Sequence, residues 1–366
     1  MVLEWRTRTG IQRLGGMLLA VMLVTLMAGC QPEPLTVKVG VLAILSGPDN
    51  YIETSGEPTV DGVNLALENW KAAGGTTLDG RPIEIEVVIK DSGDTPEKAV
   101  AAAKKLINQD NVDAIIGPQF SSHAIPVAKI AEEAGVPMIS PMSTDPKTTA
   151  NKDYVFHVGF LDSFQGRVAA QFARPDLHAS QAAVLYDITD VHSQGIADIF
   201  KIWFESLGGE VVAFESYTPD QPQWEAALEN IKESGAAVLF LPNYEDDLYP
   251  QVTMARELGV TATFLGTDTW NSLDFAAMPE LEGSFYISQW NPDSYSPASQ
   301  TFVKACEEAY PDQPISITSA LTYDAFGLLI NAIEQEQAVT SEAIRAGLAN
   351  TEGYQGVSGV ISYEYS

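Results

Sequence analysis

Residues 112–146, VDAIIGPQFSSHAIPVAKIAEEAGVPMISPMSTDP, decide how the rest of the chain is read. Val112, Ala114, Ile115 and Ile116 form a short apolar run, the kind that builds a buried strand of a parallel sheet. Gly117-Pro118 ends it. Ser121 and Ser122 then stand where a helix begins, so a hydroxyl and free backbone N–H groups converge on one spot. Gly135 closes that helix as its C′ residue. Val136 to Ile139 form the next strand, and Pro141-Met142-Ser143-Thr144 is the turn after it. Both polar turns fall at the carboxyl ends of neighbouring strands, where open α/β sheets bind their ligands.

Working outward, the chain alternates strands and helices from Thr36 onward. TVKVGVLAIL (36–45) is a strand, 46–59 a polar loop, 60–75 an amphipathic helix and IEIEVVIK (83–90) a strand. In the second half, strands at 182–187, 210–217, 236–241 and 261–266 are separated by helices, and GVSGVISYEY reads as a final strand. This order gives an α/β fold, with parallel sheets and helices on both faces. A repeat is present. AEEAGVPMISPMST (131–144) lines up with ARELGVTATFLGTDT (255–269), and Thr144 and Asp268 lie equally far beyond Gly135 and Gly259. One unit earlier, Ser121 and Tyr244 occupy nearly equivalent places. The expectation is two doubly wound parallel-sheet lobes with a ligand cleft between them. Ser121, Ser143 and Thr144 form one wall, and Tyr244 and Asp268 the other.

Length favours two domains in the 366 residues. A formal net charge of −29 excludes nucleic acid as a partner, which requires a basic face. The N-terminus has the form of a secretory signal: Arg6, Arg8 and Arg13, then the apolar run Met17 to Met27, then Ala28-Gly29-Cys30. The apolar run is short for a membrane span. Cys30 after Ala28-Gly29 resembles a lipobox, which makes residues 1–29 a lipoprotein signal peptide, Cys30 the lipidated residue and 30–35 a tether. Cys306, the other cysteine, is expected as a buried thiol in a helix, so there is neither a disulfide nor a Cys-based metal site. His123, His157, His178 and His192 show no metal-ligand spacing. Nucleotide-binding glycine motifs and the nucleophile elbow are absent, so neither metal nor cofactor is expected.

A neutral hydroxyl wall at a helix N-terminus suits a carboxylate. Asp268 on the facing wall suits an ammonium. A small zwitterion such as an amino acid satisfies both. Trp270, close behind Asp268, and Tyr51, after the first strand, either line the cleft or pack in the core. Trp203 and Phe204 are expected in the core.

KVGVLAILSGP, KAVAAAKKLINQDNVDAIIGP, EEAGVPMISP, DSFQG and the spacing to LGTD resemble the branched-chain (Leu/Ile/Val) amino-acid-binding proteins of ABC uptake systems. That resemblance implies a type I periplasmic binding fold, lobes that close on a ligand, and no catalysis. It implies that the Ser121 hydroxyl, the Met142 backbone and Thr144 hold the ligand carboxylate, and that Asp268 and Tyr244 meet the ammonium. His192-Ser193 stands where the family has Tyr-Gly, which assigns His192 to the side-chain pocket and opens the site to unusual ligands. The implied lobes are 36–160 with 287–366, and 161–286; the chain stops where relatives cross once more, so it is expected to lack its final strands. The implied partners are ABC permease and ATPase subunits, with the protein a monomer anchored outside the cytoplasm through Cys30. The alternatives are a ligand-binding sensor or receptor subunit, a binder of a small amide or urea, and an enzyme using Asp268 and His192.

Overall fold

The computed structural model describes residues 32–363. The signal segment and Cys30 lie outside them. The first sheet contains β1 (Leu35–Ala43), β2 (Thr77–Leu78), β3 (Arg81–Asp91), β4 (Ala114–Ile116), β5 (Met138–Ser140) and β6 (Val155–His157), in the order β2-β3-β1-β4-β5-β6. β1 takes a central place because it is apolar on both faces, with Val37, Val39, Val41, Leu42 and Ala43 fully buried. It runs parallel to β3 from Leu35 beside Ile83 to Ala43 beside Asp91, and parallel to β4 on its other side. Only β2, folded back on β3, is antiparallel in this sheet. The second sheet contains β7 (Gln181–Asp187), β8 (Glu210–Tyr217), β9 (Val238–Leu241), β10 (Thr263–Gly266) and β11 (Phe285–Tyr286). Its order is β11-β10-β9-β7-β8, with every neighbour parallel.

Ten helices described here cover these sheets: α1 (Glu57–Ala72), α2 (Pro96–Lys105), α3 (Ser121–Ala134), α4 (Asp162–Gln171), α5 (Val191–Ser206), α6 (Trp224–Ser234), α7 (Glu245–Leu258), α8 (Pro297–Ala309), α9 (Ile317–Glu336) and α10 (Ser341–Ala349). On one face of the first sheet, Val63, Phe302, Phe326, Leu329 and Ile344 from α1 and α8–α10 pack on Val37 and Val39. On the other, Ala99, Ala103, Val127 and Ala128 from α2 and α3 pack on Leu42 and Ile115. The second sheet is sandwiched alike. Leu228 and Val252 of α6 and α7 cover Leu185 and Phe264, while Ile196 and Phe200 of α5 cover Val184 and Phe240. Each large side chain so buried contributes roughly 1.5–3 kcal/mol. The chain passes from the first sheet to the second after β6, through residues 158–161, and returns after β11, through residues 287–296.

Several elements differ from expectation. The loop at 46–59 is helical from Asp49: a turn at Asp49–Tyr51 and a π-helical stretch at Ile52–Gly56 lead directly into α1. Close packing explains this, since a Cβ on residue 56 would stand 1.7 Å from the Ile44 carbonyl oxygen, so glycine lets the helix lie against the end of β1. The final strand is a two-stranded antiparallel ribbon, β12 (Tyr354–Gln355) with β13 (Val360–Ile361), outside both large sheets. Phe204 is in the core, but Trp203 is 37% exposed with the Arg167 guanidinium over its ring. Cys306 is buried in α8, and burial pushes its thiol up to about 12.

Candidate ligand-binding site

Each sheet reverses its strand order once, between β1 and β4 in the first and between β7 and β9 in the second. These are the switch points at which crevices open beyond the strand ends. The loops that leave them face one another around a cavity of about 800 Å³. Tyr51, Ser121, Met142, Thr144, His192, Tyr244 and Asp268 all line it.

The repeat is closer in the structure than in the sequence reading. α3 and α7 each have 14 residues, carry a proline at the sixth (Pro126, Pro250), and end at a left-handed glycine, Gly135 or Gly259. The N-cap of α7 is Tyr244, and that of α3 is Phe120. Tyr244 therefore corresponds to Phe120, one residue before Ser121. The two rings meet across the cavity at 5.6 Å, and Tyr51 packs edge-on to Phe120 at 5.1 Å.

Ser121 is the first residue of α3 and does not act as its cap. Its Oγ accepts from the amides of Thr144 and Asp145, both at 3.3 Å, and from Ser143 Oγ at 3.2 Å. With the oxygen engaged as an acceptor, its own proton is free to be donated. The backbone bonds of α3 begin at His123 and Ala124, both to the Phe120 carbonyl, so the amides of Ser121 and Ser122 precede them at the positive end of the helix dipole. Ser143 does not reach the cavity. Its buried hydroxyl is held between Ser121 and Thr148, the latter at 2.7 Å.

The opposite wall is ionic. His192 lies in the first turn of α5, only 2% exposed. Its Nδ1 is 3.1 Å from Asp162 Oδ1 and 3.2 Å from Thr144 Oγ1, and its Nε2 is 3.9 Å from Asp268 Oδ1. Burial pushes the ring toward neutrality, but the carboxylates of Asp162, Asp268 and Asp190 outweigh it and hold the imidazolium up at about 10. His192 thus joins the ionic corner and bridges the two walls through Thr144. Asp268 is clamped by two amides. Gln165 Nε2 donates to its Oδ1 at 2.9 Å while Gln165 Oε1 accepts from its backbone N–H at 3.1 Å, and Gln289 Nε2 donates to Oδ2. Burial raises the Asp268 carboxyl, against the pull of His192 and the two glutamines. Gln289 lies across the first crossing, where a Cβ on residue 159 would stand 1.5 Å from its Oε1, so a larger residue there would push this side chain aside.

Trp270 is a core residue. It is fully buried, its Nε1 donates to the Leu241 carbonyl at 3.1 Å, and it does not line the cavity. The sequence reading missed Gln119, Phe120, Asp162, Gln165 and Gln289. For Asp162 and Gln165 a signal existed, since three-residue spacing in DSFQG puts both on one face of a helical first turn. Among the described residues no cluster of His, Cys, Asp and Glu has metal-site geometry, and no helix is long and apolar enough to cross a membrane.

Known proteins share this architecture. The chain is 33% identical over 226 residues to an amino acid binding protein of Pseudomonas aeruginosa, a match covering 61% of this chain and 59% of that protein. It is 27% identical over 347 residues to the leucine-, isoleucine-, valine-, threonine- and alanine-binding protein of the same organism, covering 94% of this chain and 90% of the relative. The branched-chain amino acid transporter substrate binding protein of Streptococcus pneumoniae, solved in complex with isoleucine, superposes with a TM-score of 0.78 at 30% identity, over 90% of this chain and 92% of that one. These are homologues that bind and do not catalyse. The periplasmic binding protein model itself matches residues 36–364, taking in both sheets, both crossings and every residue of the cavity, and the chain belongs to that family of binding proteins.

Proposed function

We propose that the protein captures a zwitterionic amino acid outside the cytoplasm for an ABC importer, tethered to the membrane by a lipid on Cys30. The observation that carries this reading is the charge distribution across the cavity. Formal charges on Asp162, protonated His192 and Asp268 sum to −1, which an α-ammonium neutralises. The facing wall presents the Ser121 hydroxyl at the N-terminus of α3, and hydroxyl donor and helix dipole together suit an α-carboxylate. Three or four charge-assisted bonds of roughly 1.5–3 kcal/mol each, less the ordering cost, are the right order for a micromolar complex at about −8 kcal/mol. The ligand ties the two walls together, and the lobes that close on it are residues 36–160 with 287–366, and 161–286. The names of the relatives support the transport setting. A thermal-shift screen of the twenty amino acids tests the reading. A ligand at a hundred times its Kd adds about 2.7 kcal/mol of stability, and a folded protein that no amino acid stabilises would sink it.

A further inference from the structure

A second group of polar atoms in the cavity has no task in holding the zwitterion's head. Thr59 Oγ1 donates to the Ser55 carbonyl at 2.6 Å, so its remaining capacity is as an acceptor. The Gln119 atom 2.7 Å from it is therefore the amide nitrogen, which also reaches Thr322 Oγ1 at 3.4 Å. This orientation leaves Gln119 Oε1 as the free end, an acceptor with no donor on a side chain only 3% exposed. Ser55 Oγ, in a residue 4% exposed, has no partner either. Both residues line the cavity, along with Glu53, Glu57 and Asp61 from the same stretch and Glu245 from the other side, and no lysine or arginine lines it. Buried acceptors in native proteins are rarely left without donors. A volume of about 800 Å³ lies high in the ~300–1,000 Å³ range of small-molecule pockets, which leaves room beyond an amino-acid head.

We infer that this wall receives a cationic, donor-rich side chain, an ammonium or guanidinium, so that the captured amino acid is a basic one. The inference rests on the head-group reading above and adds the identity of the side chain. Its donors meet Gln119 Oε1 and Ser55 Oγ, both closed off from solvent in this structure, once those two side chains turn toward the cavity they line, and its charge is met by the surrounding carboxylates. Titration calorimetry on the full chain with L-lysine, L-arginine, L-glutamine and L-leucine tests it. Lysine or arginine is expected to bind at least tenfold tighter than leucine and tighter than glutamine. Gln119→Leu should erase that preference by weakening the basic ligand and strengthening leucine, and Glu57→Gln should weaken only the basic ligands; unchanged melting temperatures establish that both variants fold. Leucine or glutamine binding as tightly as both basic amino acids would overturn the inference and leave the head-group reading standing. Failure of all four to bind would overturn the inference, and failure of all twenty amino acids in the thermal-shift screen would overturn the head-group reading with it.

Discussion

Replacing Asp268 with asparagine isolates the ionic half of the site. The substitution keeps the shape and removes one charge. Gln165 still finds an acceptor in the new amide, and Gln289, whose Oε1 has no donor, can turn that oxygen toward the new N–H₂. The ionic corner then falls from a formal −1 to zero, and the ligand ammonium meets a neutral cluster containing an imidazolium. At an effective dielectric near 20, an opposite charge about 4 Å away is worth roughly 4 kcal/mol. Repulsion from His192, 3.9 Å from the same carboxylate, and the cost of desolvating the ammonium oppose this. A net loss of about 2 kcal/mol is expected, within the range for charged hydrogen bonds, or about thirtyfold in Kd. Calorimetry with the best amino-acid ligand measures it, and a second arm uses the same ligand without its amino group. That deaminated acid should bind wild type and variant alike. The reasoning fails if the folded variant keeps the amino acid within threefold of wild type, or if the deaminated acid weakens equally.

Ser121→Ala should cost about 1–2 kcal/mol of binding, because a donor is lost and the Thr144 and Asp145 amides lose their acceptor; here the amino acid and its deaminated analogue should weaken together in calorimetry. The pKa of His192 is raised in the folded protein, from a usual 6.5 to about 10, so its stabilisation is complete below about pH 6.5 and is lost as pH rises through about 10. Melting temperature should therefore decline over that window more steeply in wild type than in His192→Gln, and parallel curves would contradict the assignment. Trp270→Phe removes the bond to the Leu241 carbonyl and opens space in a packed core, so denaturant unfolding should show a loss of about 1–3 kcal/mol with ligand Kd unchanged.

The alternation of apolar runs with glycine-closed helices was enough to read the two-sheet α/β plan, because β1, β4, β7 and β9 each carry a run of buried apolar residues. The family resemblance then pointed to the same pair of walls. Side-chain partnerships were harder to see. Asp162 and His192 lie on different helices, thirty positions apart, and no local pattern shows that one ring reaches both Asp162 and Asp268. The correspondence of Tyr244 with Phe120 was displaced by one residue, because Ser121 looks like a cap while the residue with extended cap geometry is aromatic. Trp270 sits among polar neighbours in sequence, and only the space behind β9 and β10 decides that it faces inward. The helix at Asp49–Gly56 depends on contact with the end of β1, which propensity does not encode.

Gln289 belongs to the second crossing, lies against Gly159 of the first, and holds one oxygen of Asp268, while Gln165, just past the first crossing, holds the other. The carboxylate opposite the hydroxyl wall is thus fastened to the second crossing and to α4 as well as to its own sheet. Any shift of the second crossing relative to the second sheet bears on the Gln289 bond to Asp268. Gln289 thus joins the two crossings to the charged corner of the site.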